Sequence, residues 1–152
     1  MKINSSEKLS NKLVKAFLKN KIISPLPGKF TKQLKNADKF RKLCESKVNE
    51  PIIGFKAGGT GIPVMKKLKE KEPFYASVYK RNFLKNGKAV RINKSTLGIE
   101  LEVCYLIKKQ FFDFKRNITK KNINKFISYM APCIEVVGYR QRKKGIQSFG
   151  DL

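Results

Sequence analysis

Apolar residues recur at helical spacing from Ser6 to Asn20, where Leu9, Leu13, Ala16, Phe17 and Leu18 are set among lysines. The spacing predicts an amphipathic helix with Ser5 or Ser6 near its N-cap, ended by Ile23-Ser24-Pro25-Leu26-Pro27-Gly28. A second helix is expected to open at Thr31, with Leu34, Ala37, Phe40, Leu43 and Cys44 on one face. The composition shifts at Asn49-Glu50-Pro51. Residues 1–50 therefore read as a helical arm and residues 51–152 as a β-rich body, an α+β chain.

Beyond that break the period shortens towards two. Ile52-Ile53-Gly54-Phe55-Lys56-Ala57 reads as a buried strand running into Gly58-Gly59-Thr60-Gly61, where glycines let the backbone approach a ligand. Lys56 is out of place in such a strand, so it must snorkel to water, pair with an acid or face a polar cleft. The turn is no phosphate-binding loop, because Gly-Lys-Ser/Thr and G-x-G-x-x-G are both absent. Pro63 to Lys71 suits a short helix with Val64, Met65 and Leu68 apolar, and Phe74 to Tyr79 suits a strand. Asn86-Gly87 signals a tight turn, after which Ala89-Val90-Arg91-Ile92 leads towards the longest strand, Ser95 to Ile107. Thr119 is placed to cap a helix presenting Ile123, Phe126, Ile127 and Met130, and Pro132 to open a strand Cys133 to Val137.

The longest strand carries the first candidate chemistry. Strand alternation puts Ile99, Leu101, Val103, Tyr105 and Ile107 on a face that reads as core, and Gly98, Glu100, Glu102, Cys104 and Leu106 on the other. Glu100 and Glu102 then stand about 6–7 Å apart at their Cα atoms, a pair that needs a cation or a shared proton if half-buried. Spacing alone favours two glutamates solvated among lysines, and further residues must converge on them before a metal becomes the better reading. Glu135 lies inside another apolar strand and also needs a partner. Arg140 or a lysine would serve structurally, whereas joining Glu100 and Glu102 would complete an oxygen-ligand set for Mg²⁺ or Mn²⁺.

Charge and cysteine content narrow the classes. The 152 residues suit one domain, and 35 Lys and Arg against 11 acids leave a net charge of +24. That excess suggests a polyanion, yet few of the cations are arginine and the lysines are spread along the whole length, which argues against a specific nucleic-acid site. Three cysteines without paired spacing argue against a disulfide framework and a zinc site, and fit a reducing cytoplasm. No uninterrupted apolar run suggests a signal peptide or membrane span, so no membrane partner is expected. Histidine is absent, which excludes His-based triads, bases and metal ligands.

Three segments in series carry a resemblance. Gly54-Phe55-Lys56-Ala57-Gly58 with Thr60, then Glu100-Leu101-Glu102, then Ala131-Pro132-Cys133-Ile134-Glu135-Val136-Val137 with Arg140 beyond, resemble the 2-keto-4-pentenoate hydratase family of the fumarylacetoacetate hydrolase superfamily. Ile23-Ser24-Pro25-Leu26 resembles that family's N-terminal region, so the likeness spans nearly the whole chain. It implies a helical arm followed by a partial mixed β roll of the fumarylacetoacetate hydrolase type, assembled as a homo-oligomer. It also implies Mg²⁺ or Mn²⁺ on Glu100, Glu102 and Glu135, Lys56 as the catalytic polar group, and Gly58, Thr60 and Arg140 at a small 2-keto acid substrate. Three carboxylates on an octahedral ion leave room for a chelating 2-keto acid and one water. The implied reaction is hydration of an unsaturated 2-keto acid. The alternatives are decarboxylation of a vinylogous 2-keto diacid, an inactive homologue, and a basic nucleic-acid-binding module. The chain departs from the family at Gly138-Tyr139, where Asp-Ser is usual, and at Tyr75, where glycine is usual. It also ends at Leu152 where an Ala-Asp-Asn segment would follow, which implies the N-terminal part of a longer domain or a shortened paralogue.

Overall fold

The computed structural model describes residues 5–93 and 96–138. They divide into two compact units, one formed by residues 5–93 and the other by Thr96–Gly138. Helices and two-stranded antiparallel sheets make up the described fold, which is α+β. No helix among the described residues is long and apolar enough to cross a membrane.

In the first unit, α1 (Ser5–Leu18) includes Ser5 and Ser6 among its helical residues and buries Val14 and Ala16. Ser10 is buried as well, at no hydrogen-bonding loss, because its hydroxyl donates to the Glu7 carbonyl at 2.9 Å. The helix predicted from Thr31 instead arrives in two pieces, α2 (Gly28–Thr31) and α3 (Leu34–Glu45). Gln33 between them is extended, with φ −123° and ψ 128°, so one continuous helix cannot form. Phe40 of α3 is buried and packs on Phe30 at 4.8 Å between ring centroids. Lys47, in the turn just after α3, is tied to α1 through an ion pair with Glu7 and a 2.8 Å hydrogen bond to Asn11.

Strand β1 (Ile52–Gly58) pairs antiparallel with β2 (Phe74–Tyr79), with Phe55 opposite Ser77 and Gly58 opposite Phe74. The composition break at Asn49–Pro51 falls between α3 and β1. Contacts nevertheless cross it, since Ser77 donates to Glu45 at 2.7 Å and the Arg41 guanidinium lies 4.6 Å from the Tyr75 ring centre. The expectation that β1 is buried is corrected: Ile52, Ile53 and Phe55 are exposed, and Gly54, Lys56 and Gly58 form its less exposed side. A strand in a two-stranded sheet has little to cover both of its faces. Helix α4 (Ile62–Leu68) carries Pro63 in its first turn and stops at Lys69, whose φ of 57° ends it. The Asn86-Gly87 turn forms, with φ 81° at the glycine, but residues 83–93 carry no strand.

In the second unit, β3 (Thr96–Ile107) pairs antiparallel with β4 (Ile127–Gly138) along nearly its full length. Their connection holds α5 (Gln110–Asp113) and a single 3₁₀ turn, Ile123–Phe126. Phe126 is buried against Phe111 and Phe114, at 5.7 and 4.8 Å between ring centroids. The helix predicted after Thr119 is corrected here. Asn122 binds back onto the Thr119 N–H and the Asn117 carbonyl, and Ile127 and Met130 belong to β4. Pro132 lies inside β4 opposite Val103 instead of opening it, a position proline tolerates because each strand of a pair has an open edge. The face predicted as core is also corrected. Ile99, Leu101, Val103 and Tyr105 are exposed, as are Met130 and Ile134 across the pair.

Candidate metal centre

The β3–β4 register places Glu100 directly opposite Glu135, and Glu102 opposite Cys133. Side chains at 100, 102, 133 and 135 therefore project from one face of the ribbon. One carboxylate oxygen from each of Glu100, Glu102 and Glu135 lies within 4.8 Å of the others. Glu102 and Glu135 are partly buried, while Glu100 is exposed. Facing carboxylates at a direct cross-strand position destabilise a sheet, and a third beside them adds to the repulsion. A divalent cation removes that cost.

The donor set fits a hard ion. Three carboxylates and no nitrogen donor suit Mg²⁺ or Mn²⁺, whose oxygen ligands sit about 2.0–2.2 Å from the ion. Oxygens on one face of an octahedron stand about 3 Å apart at that bond length, so small rotations about the glutamate side-chain bonds would close the triad. Two cysteines border it. Cys104 shares its face by strand alternation, and Cys133 stands across from Glu102. Burial pushes the Cys133 thiol above its ordinary range, with Cys104, Glu102 and Glu135 pushing it the same way. The three convergent carboxylates make the centre an oxygen site with thiol neighbours. Alternation in the sequence already put Cys104 on the glutamate face; what brought Cys133 there was the cross-strand register, which a single strand does not reveal.

Three of the other residues singled out in the sequence belong to a different unit from the glutamates. Lys56, Gly58 and Thr60 belong to the first unit, whereas the three glutamates belong to the second. Lys56 is half-buried on β1 opposite Ala76. The space beside Gly58 is filled by the Phe74 ring, which a Cβ at position 58 would meet at 2.3 Å. Thr60 is exposed just after Gly59, whose φ is 66°. Arg140 lies outside the described residues.

No protein-family profile matches the chain, and no curated protein matches it.

Proposed function

We propose that this protein is a divalent-metal-dependent lyase acting on small 2-keto acids, and that its reaction is hydration of a 2-keto-4-pentenoate-type substrate. The observation carrying this reading is the meeting of Glu100, Glu102 and Glu135 across the β3–β4 pair. The sequence resemblance described above supplies the reaction class and the fumarylacetoacetate hydrolase-type roll. Glu100, Glu102 and Glu135 would hold Mg²⁺ or Mn²⁺, and a bound ion supplies Lewis-acid polarisation of the substrate's 2-oxo group. The side chains' own task is to keep three anionic oxygens turned to one point, for which a rigid paired ribbon is a suitable mount. Lys56 is proposed as the polar group that binds the substrate carboxylate or moves a proton.

The test is an assay with 2-hydroxypentadienoate and Mn²⁺, following loss of the conjugated dienol absorbance before and after chelation. Metal-dependent turnover that falls at least 100-fold in Glu102→Gln supports the proposal. Turnover insensitive to chelator removes the metal from it. Carbon dioxide release from a vinylogous 2-keto diacid, without hydration, would reassign the reaction to decarboxylation. Lys56→Met is read separately. An unaltered rate with every 2-keto acid tried would take Lys56 out of the mechanism.

A further inference from the structure

The connection between β3 and β4 gathers positive charge around an exposed aromatic ring. Seven of the eighteen positions from Lys108 to Lys125 are lysine or arginine, against a single acid, Asp113. All seven are exposed, and among the described residues none of them is held in an ion pair. The connection closes on itself, because the Lys108 N–H donates to the Phe126 carbonyl at 2.7 Å and the Lys108 Nζ to the Lys125 carbonyl at 3.0 Å. Cations at the two ends of the run are thereby brought together. Phe112 projects from this loop with 73% of its surface exposed. It stands 5.4 Å from Phe111 between ring centroids, at 84° between planes, and Phe111 packs on the buried Phe126. The exposed ring is mounted on a packed aromatic cluster.

Charge complementarity selects the occupant. Residues 5–93 carry twenty-two cations against six acids, and a second copy of the chain repeats that excess, so neither supplies the opposite charge. An acidic protein matches the cations but offers the ring no flat partner. A single-stranded nucleic acid matches both, with phosphates for the cations and an open base face for Phe112. In a duplex the base faces are already stacked on one another. An anionic bilayer also matches the charge, yet anchoring there takes more apolar surface than one ring, and Phe111 and Phe114 are turned towards Phe126. The glutamate triad does not oppose a phosphate chain at this end of the ribbon. Glu102 precedes Lys108 by six residues, about 20 Å of extended strand, which exceeds the Debye length of about 8 Å at physiological salt.

We propose that the β3–β4 connection binds single-stranded RNA or DNA, with Phe112 stacked on a base and the surrounding lysines and Arg116 on the flanking phosphates. Recognition of this kind is tolerant of base sequence, in keeping with a cation set that is mostly lysine. It is independent of the metal-site reading and stands or falls without it.

The experiment measures fluorescence anisotropy of the full chain with labelled twelve-nucleotide oligo-U and oligo-dT, with a duplex of the same length, and co-sedimentation with phosphatidylserine vesicles. Both single strands should bind at least five-fold more tightly than the duplex. Their log affinity should fall by about 2–3 per decade of salt, the counterion release of three or four phosphate contacts. Phe112→Ala should weaken binding at least five-fold, and Phe112→Tyr should keep the wild-type affinity. Lys120→Glu with Lys121→Glu should weaken it at least ten-fold, whereas Lys66→Glu with Lys67→Glu, the same charge change on α4, should change it less than two-fold. Photocrosslinking of a 5-bromouridine strand to the wild-type chain needs no variant and should map to residues 110–115. Equal losses from the two lysine pairs would show a diffuse charge effect and overturn the proposal. So would Phe112→Ala at wild-type affinity, a duplex bound as tightly as a single strand, or crosslinks confined to other residues. Vesicle binding that depends on Phe112, without oligonucleotide binding, would overturn it in favour of an anionic membrane surface.

Discussion

Gly58 and Glu100 are the two positions where one side-chain change has the clearest expected sign. A methyl group at 58 would meet the Phe74 ring well inside contact distance, and the ring sits directly opposite it in the β1–β2 register. Gly58→Ala should therefore cost about 1–3 kcal/mol in urea unfolding, as overpacking does. Adding Phe74→Leu should recover much of that loss. If Gly58→Ala alone proves neutral, the ring moves aside freely and the glycine is not held there by packing. Glu100 separates two effects. In the absence of metal, Glu100→Gln removes one of two facing carboxylates and should raise stability by about 0.5 kcal/mol. In the presence of Mn²⁺ the same variant should bind the ion at least ten-fold more weakly, measured by titration calorimetry. A loss of stability in metal-free buffer would show that the triad is neutralised within the protein and needs no ion.

At the scale of elements, the period of the apolar residues located most of them, and packing decided where the reading failed. α1, α4, β1, β2 and β3 lie close to their predicted places because the amphipathic period, Pro63 and β-branched runs act locally. The helix expected after Thr119 failed because Ile123, Phe126, Ile127 and Met130 fit a helical period, yet Asn122 closes the chain into a turn and β3 recruits Ile127 onward as its partner. Pairing with a strand some 30 residues earlier is invisible to a local window. The glutamate triad was legible in part. Alternation put Glu100 and Glu102 on one face, but only the register with β4 sets Glu135 against Glu100. Burial was the least legible property, since alternation says which residues share a face and not whether anything covers it. Helix α3 offers a test of its own. Arg41 binds Asp38 at 2.6 Å and Glu45 at 2.5 Å, and Lys42 binds Asp38 at 2.9 Å. Hydrogen bonds from Arg41 and Lys42 hold the Asp38 carboxyl below its ordinary value of 3.8. A depressed carboxyl contributes stability above its unfolded value, and that contribution is lost as pH falls through the folded one. Asp38→Asn should thus cost about 0.5 kcal/mol at pH 7, a figure kept small by solvent screening, with the gap to wild type closing below about pH 3.8. A gap that stays constant down to pH 2 would mean that the ion pairs contribute nothing.

At the scale of the whole molecule, charge imbalance is the dominant fact. A net charge of +24 on 152 residues cannot be neutralised internally, because 11 acidic groups serve 35 basic ones. Two opposed salt effects follow. Added salt weakens ion pairs such as those of Asp38, Glu45 and Glu7, which lowers stability slightly. It also screens repulsion among the remaining lysines, which raises stability because the compact state packs like charges closer than the unfolded chain does. Surface pairs are worth a few tenths of a kcal/mol each, whereas each surplus cation interacts with many others within a Debye length of about 10 Å at 0.1 M salt. Screening should therefore win. The melting temperature is expected to rise by about 3–6 °C between 20 mM and 500 mM NaCl, a shift on the order of 1 kcal/mol for a chain of this size. Repeating the melts with sodium sulfate at matched ionic strength isolates screening from anion binding, since a much larger rise in sulfate would indicate that anions occupy discrete sites among the lysines. A melting temperature that falls as salt is added would show that the ion pairs around α3 outweigh the net charge.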